Sequence, residues 1–245
     1  MTSVAELDRR FYPDLIDEHV RFDQMIRQHL RPDAAALDAG AGRGVAFPYD
    51  HGRHVARMAG ADLDPAVLEN PNLSEAVIAD LADLPYGDGE FDVVFSKFVF
   101  EHLHRPIAVM RELRRVMKPA AHLLVHTPNR WHYVTLAAAL TPTRVHVWYR
   151  EKLGWPEADT FPTQYRVNDP KTIHAFARKS GFRVRSLELL ETRPSYLALH
   201  PWAYRVGIAY ERLVNRFDAL ARFRVNLLVD LEAVERPGVS PTETP

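Results

Sequence analysis

The chain of 245 residues contains no cysteine. Disulfide frameworks, thiolate zinc sites and cysteine nucleophiles are therefore excluded, and nothing argues for an oxidising compartment. Neither sign of charge dominates: 31 basic against 32 acidic residues leave a formal net charge of −1. A dedicated nucleic-acid binder usually carries a large basic excess, so no nucleic-acid partner is expected. No run of about 18 uncharged apolar residues occurs that would span a bilayer. The opening stretch MTSVAELDRRFYPDLIDEHV carries early acids and no apolar core, so it does not read as a signal peptide. A cytoplasmic protein is expected. With 47% of its residues apolar and neither repeats nor low-complexity linkers, the chain is expected to form one domain over 1–234. The proline-rich, polar stretch 235–245 is expected to be disordered.

Apolar residues at near-helical spacing predict a helix from Asp14 to Leu30, which Arg31-Pro32-Asp33 ends. A short apolar run, Ala34 to Leu37, reads as a buried strand entering the turn Asp-Ala-Gly-Ala-Gly-Arg-Gly. Further strands are predicted at 54–61, 75–79, 91–96, 122–126, 182–190 and 223–231, with helices at 107–117 and 169–180. Asp169 serves the last helix as N-cap, Pro170 opens it and Gly181 lies past its end. Strands alternating with helices imply an α/β fold with an open, mostly parallel sheet covered on both faces. Ligands of such sheets bind beyond the carboxyl ends of the strands. The stretches 128–168 and 191–222 exceed what a minimal sheet needs and read as lids or binding elements.

The segment Leu37-Asp38-Ala39-Gly40-Ala41-Gly42-Arg43-Gly44 is a strand running into a glycine-rich turn. Glycine lets backbone approach a ligand and adopt positive φ. The dinucleotide fingerprint needs a glycine where this chain has Val45, so a nicotinamide-dependent reductase is not expected. An acid directly before the loop suits a cationic or amine-bearing cofactor better than a diphosphate. Asp62 ends the second strand, where a carboxylate can accept both hydroxyls of a ribose. Asp64, directly before Pro65, reads as an N-cap instead. Asp80-Leu81 follows the third strand, where a side chain and a backbone amide would read an adenine edge.

These segments, LDAGAGRG, GADLDP, ADLADLPYGDGEFDVVFSKFVFEHL and LRRVMKPAAHLLVHTPN, resemble in order and spacing the motifs of the class I S-adenosylmethionine-dependent methyltransferases over roughly residues 34–129. The resemblance implies a Rossmann-like seven-stranded sheet whose last strand is antiparallel, with S-adenosyl-L-methionine as cofactor. It implies that Asp38, Ala39, Gly40 and Gly42 meet the methionine end of the cofactor. Asp62 would bind the ribose with Leu63 against the adenine, Asp80 and Leu81 would bind the adenine, and Ser96 would lie beneath the sulfonium. Acceptors in this family bind on or after the fifth strand, which points to His126, Arg130, His132 and Tyr133 as substrate-binding residues.

His102 is the candidate general base, able to take a proton from a substrate hydroxyl near neutral pH. The alternative is that Glu101-His102 only orients the loop. The histidines 126, 132 and 146 match no standard ligand spacing, and no metal is expected. At about 100° per residue, Arg205, Arg212 and Arg216 share one face of a helix over 201–217. That helix is either an interfacial element meeting anionic lipid or an ordinary amphipathic cover for the sheet edge. The expected activity is methyl transfer to a small-molecule or glycan- or lipid-linked acceptor, at oxygen. A protein acceptor and a catalytically inactive cofactor-binding scaffold are the alternatives.

Overall fold

A computed structural model describes residues 2–44, 49–141, 149, 152–153 and 162–235. Its strands are β1 (Ala35–Ala39), β2 (Arg57–Asp62), β3 (Glu75–Ile78), β4 (Phe91–Lys97), β5 (Met117–Pro128), β6 (Phe182–Leu190) and β7 (Asn226–Ala233). They form one sheet in the order β3-β2-β1-β4-β5-β7-β6. Pairing is parallel from β3 to β5, and β7 enters antiparallel between β5 and β6. The strand order reverses beside β1, between β1 and β4. Beyond the carboxyl ends of these two strands lies the crevice in which open α/β sheets bind their ligands.

Alternate residues of the central strands feed two cores. One face carries Ala36, Val93, Phe95, Leu124 and Leu228, covered by α2 (Glu18–Arg27) through Phe22 and Ile26. Both of those side chains are fully buried, and each contributes about 1.5–3 kcal/mol by leaving water. The other face carries Leu37, Val94, Leu123, Val125 and Val229 beneath α3 (Pro106–Val116) and α5 (Pro170–Lys179). α4 (Tyr133–Leu140) follows β5. At the periphery, α1 (Val4–Phe11) packs on α6 (Pro201–Arg216) through Leu7, Tyr204 and Ile208. No described helix is long and apolar enough to cross a membrane.

The differences from the expected elements have local causes. The helix predicted from Asp14 begins at Glu18, as α2, because Asp17 caps it, accepting from the amides of His19 and Val20 at 3.1 and 3.0 Å. β5 starts at Met117, five residues before the predicted strand, and absorbs the excess as a bulge: Phe91 pairs with Met117 while Val93 pairs with His122. Ala120, at φ 60°, turns that irregularity. The seventh strand begins at Asn226 because residues 218–223 coil into a 3-10 turn. Of the stretch expected to be disordered, residues 236–245 lie outside the described residues, as do Val45 and His146.

Candidate active site

β1 delivers Asp38 to the carboxyl edge of the sheet, in register with Gly60 on β2 and Phe95 on β4. The chain then turns through Gly40, Gly42 and Gly44 at φ of 87°, 47° and 79°. A Cβ on Gly42 would meet nothing nearer than the Asp62 carboxylate at 4.0 Å. Packing does not demand glycine there; the positive φ does, and it leaves open space above the backbone. The loop is held from beneath. Gly40 and Ala41 donate to the Ala61 carbonyl at 2.8 and 3.3 Å. The Asn70 side-chain amide reaches the carbonyls of Ala41 and Gly42 at 3.1 and 3.2 Å.

Asp62 Oδ2 accepts from the Gly42 amide at 2.8 Å, and Oδ1 from the Asp64 amide at 2.9 Å. A carboxylate oxygen accepts twice, so each keeps capacity for one more donor, the arrangement a vicinal diol requires. Asp64 is committed to its cap, accepting from the Ala66 amide at 2.8 Å. Leu63, between them, is 60% exposed and presents an apolar surface beside the acid. Asp80 accepts from the Ala82 amide at 2.8 Å and pairs with Arg105 at 3.1 Å. The Leu81 side chain is buried in the core with Phe100 and Leu103, so what it offers a ligand is its backbone. Ser96 is fully buried and donates to the Ala39 carbonyl at 2.7 Å, tying β4 to the start of the loop.

Charge collects on the α2 side of this edge. Desolvation, with the nearby Asp62 carboxylate adding to it, pushes Asp38 up to about 7; the Lys97 cation opposes both. Desolvation lowers Lys97 to about 8 against the pull of Asp38, Glu18 and Asp17. His126, fully buried, packs against Phe98, Phe22 and His19 with ring centroids 4.4, 5.4 and 5.8 Å away, and burial holds its pKa well below the usual value. Phe98 adopts φ 57°, uncommon for a bulky side chain, directly after β4.

On the opposite face Glu101 is buried, accepts from the Thr127 hydroxyl at 3.0 Å and is pushed up to about 7 by desolvation. Asn168 completes this network by donating to Thr127 Oγ1 at 2.6 Å. His102 keeps about a quarter of its side chain exposed, with Nε2 4.0 Å from Glu101. Arg130 lies 3.8 Å from Asp169 and stacks over Trp131. His132 and Tyr133 contact Tyr210, and His132 lies 3.5 Å from the buried Glu191. Thus Asp38, Ala39, Gly40, Gly42, Asp62, Leu63 and Ser96 converge on one edge, with Asp80 and the Leu81 backbone after β3. His132 and Tyr133 instead belong to an aromatic cluster under α6. Lys97 and Asn70 escape the sequence reading. Lys97 stood directly after the predicted fourth strand, which was a usable signal; Asn70 sat in an aperiodic loop and gave none.

An open loop at positive φ, an acid with spare acceptor capacity on both oxygens and an exposed leucine beside it fit a nucleoside with a cationic tail. Together they define a Rossmann-like cofactor-binding protein. Residues 37–125 match the family described as a methyltransferase domain. A probable S-adenosylmethionine-dependent methyltransferase of Mycobacterium tuberculosis is 36% identical over 132 residues, covering 49% of this chain and 47% of that protein. The sarcosine/dimethylglycine N-methyltransferase of Halorhodospira halochloris is 31% identical over 118 residues, 44% of this chain and 42% of that one. The chain thus spans about half the length of the curated relatives it matches. Among solved structures, the putative methyltransferase bound to the Haloferax volcanii Trm112 activator superposes with a TM-score of 0.59 at 17% identity. That match covers 95% of this chain and 96% of that one. Residues 37–125 thus match a methyltransferase domain, and the similarities agree with the resemblance to the class I S-adenosylmethionine-dependent methyltransferases.

Proposed function

We propose that the protein transfers a methyl group from S-adenosyl-L-methionine to a hydroxyl of a small acceptor that carries a lipid or lipid-linked glycan. Asp38, Ala39, Gly40 and Gly42 hold the methionine end of the cofactor, Asp62 and Leu63 the ribose and adenine, and Asp80 with the Leu81 backbone the adenine edge. Bound there, S-adenosylmethionine supplies an electrophilic methyl group on a good leaving group. The protein's part is to position the acceptor in line with that methyl and to exclude water. An oxygen acceptor sheds a proton as it is alkylated. His102, partly exposed and backed by Glu101 at 4.0 Å, takes that proton. After β5, Arg130, still 42% exposed, is the side chain open to an acceptor.

The observation that carries the lipid reading is the outward face of α6. Trp202, Val206 and Leu213 are 63, 56 and 49% exposed and fall within about 40° of one another around the helix, and Phe217, 49% exposed, follows directly after it. Tyr204, Ile208 and Val214 occupy the buried side. Arg205, Arg212 and Arg216, all exposed, form a ridge beside the apolar stripe. Apolar side chains in a row with flanking arginines suit the headgroup–acyl boundary of an anionic bilayer.

Release of S-adenosylhomocysteine, measured over phenols, free sugars, lipid-linked glycans and amines, tests this reading. Turnover is expected with hydroxyl acceptors presented in anionic vesicles. His102→Gln should lower kcat by about 10²–10⁴-fold while cofactor affinity stays unchanged. Cofactor binding without turnover on any acceptor would support a scaffold instead, and turnover confined to amines or to proteins would overturn the acceptor assignment.

A further inference from the structure

At the other end of β5, His122 faces a second histidine and an acid drawn from two different elements. His29 follows the end of α2, its amide donating to the Ile26 carbonyl at 2.9 Å. Asp230 lies on β7, paired with Leu124 while His122 pairs with Glu232. The imidazoles of His29 and His122 stack with centroids 4.0 Å apart and 32° between planes. Asp230 Oδ1 is 2.6 Å from His122 Nδ1, and Oδ2 is 3.7 Å from His29 Nε2. One donor atom from each residue falls within 4.8 Å of the other two.

We propose that His29, His122 and Asp230 bind a transition-metal cation of the Zn2+ type. Neighbouring ligands of a tetrahedral Zn2+, at bonds of about 2.0–2.1 Å, stand about 3.4 Å apart. Asp230 approaches His122 at 2.6 Å and His29 at 3.7 Å through its two oxygens, and one donor atom from each residue lies within 4.8 Å of the others, so side-chain rotations towards that separation seat all three donors. Two imidazoles and one carboxylate are a donor set that suits Zn2+ and disfavours Mg2+, which prefers all-oxygen octahedral ligation. The three side chains are only 22, 24 and 13% exposed, so little water must be displaced. A hydrogen bond between His122 and Asp230 would be complete without His29, whose ring instead brings a third donor to the same carboxylate. A polar groove lined by Arg21, Gln24, Gln28, Ser186 and Glu188 opens beside His29 and Asp230 and gives a fourth ligand, water, its access.

The site is separate from the cofactor edge. His122 precedes His126 by four residues on β5, about 13 Å along the strand. The cation would fasten the end of α2 to β5 and β7, while the start of α2 places Asp17, Glu18 and His19 near Lys97. Its role is to hold α2 against the sheet.

The test is calorimetric titration of chelator-stripped full-length protein with Zn2+, repeated with Mg2+, and visible absorption with Co2+. One equivalent of Zn2+ should bind and raise Tm, Mg2+ should not, and Co2+ should give a four-coordinate spectrum. His29→Gln and Asp230→Asn, verified as folded by circular dichroism, should each weaken Zn2+ at least about tenfold and leave S-adenosylhomocysteine affinity unchanged. No saturable Zn2+ binding, or binding unaffected by both substitutions, would overturn the site. Neither result depends on whether the protein turns over a methyl acceptor.

Discussion

Asp38 shows how a residue proposed to bind the cofactor can burden the fold that holds it. Its carboxyl titrates near 7, against about 3.9 in an unfolded chain. Between those values the folded protein holds a proton that the unfolded chain has released, so stability falls as pH rises through the window. At pH 8 the cost of the ionised, desolvated carboxylate is fully present, on the order of a few kcal/mol at most. Asp38→Asn should therefore raise the Tm of the ligand-free protein at pH 8, with the gain shrinking towards pH 5. The same substitution should weaken S-adenosylhomocysteine, whose ammonium loses its carboxylate partner. In the wild type, ligand affinity should fall as pH drops below about 7, and the variant should lack that dependence. Melting curves and titrations at pH 5, 6, 7 and 8 check both signs. A variant less stable than wild type at pH 8 would contradict the assignment.

Legibility at this scale follows from chemistry. Asp38, Asp62 and Asp80 could be placed because each stands at or just past the end of a predicted strand, Asp38 beside a glycine-rich turn. The network of Glu101, Thr127 and Asn168 was not, because its members meet only after β5 and the segment before α5 have folded together. The triad of His29, His122 and Asp230 is likewise assembled by tertiary contact alone.

Among the elements, caps were the reliable signals and lengths were not. Asp169 caps α5 as read, accepting from the Thr172 amide at 2.9 Å. The box of Ser3 and Glu6 that starts α1 was present in the sequence as S-x-x-E yet passed unread, since only eight residues follow it. In α6 the arginine ridge was legible from spacing. The exposure of Trp202, Val206 and Leu213 was not, because an apolar stripe reads as the buried face until the packing is known. What fixes the buried face is Gly207: a Cβ there would stand 2.4 Å from Pro194 Cβ and 2.9 Å from Pro194 Cγ. A proline ring cannot swing aside, so Gly207→Val should push α6 off its bed and cost about 1–3 kcal/mol. The urea midpoint should fall at constant slope, and an unchanged midpoint would mean that α6 is not seated as described.

For the molecule as a whole, alternation of strands and helices gave the fold class, and the seven-stranded sheet with β7 antiparallel agrees with the family resemblance. Outside α6, the stretches 128–168 and 191–222 carry no sustained period from which their course could be read. A chain with net charge −1 has no global attraction to an anionic surface, so any membrane contact must come from the local arginine ridge and the stripe beside it. Co-sedimentation with vesicles containing phosphatidylglycerol should therefore weaken as ionic strength rises, because the Debye length shrinks from about 10 Å at 0.1 M to about 3 Å at 1 M. Trp202→Ser with Leu213→Ser should abolish it at low salt. Equal binding to neutral vesicles would remove the electrostatic part of the proposal.

The central claim is that the glycine loop and the strand-end acids bind the cofactor, and calorimetric titration with S-adenosylhomocysteine tests it most directly. The account predicts saturable, micromolar binding of one equivalent to the wild type and a loss of about 1.5–3 kcal/mol in Asp62→Ala, the range for hydrogen bonds to a charged group. A folded wild-type protein that gives no binding heat and no rise in Tm, or an Asp62→Ala variant that binds as tightly as wild type, would contradict it.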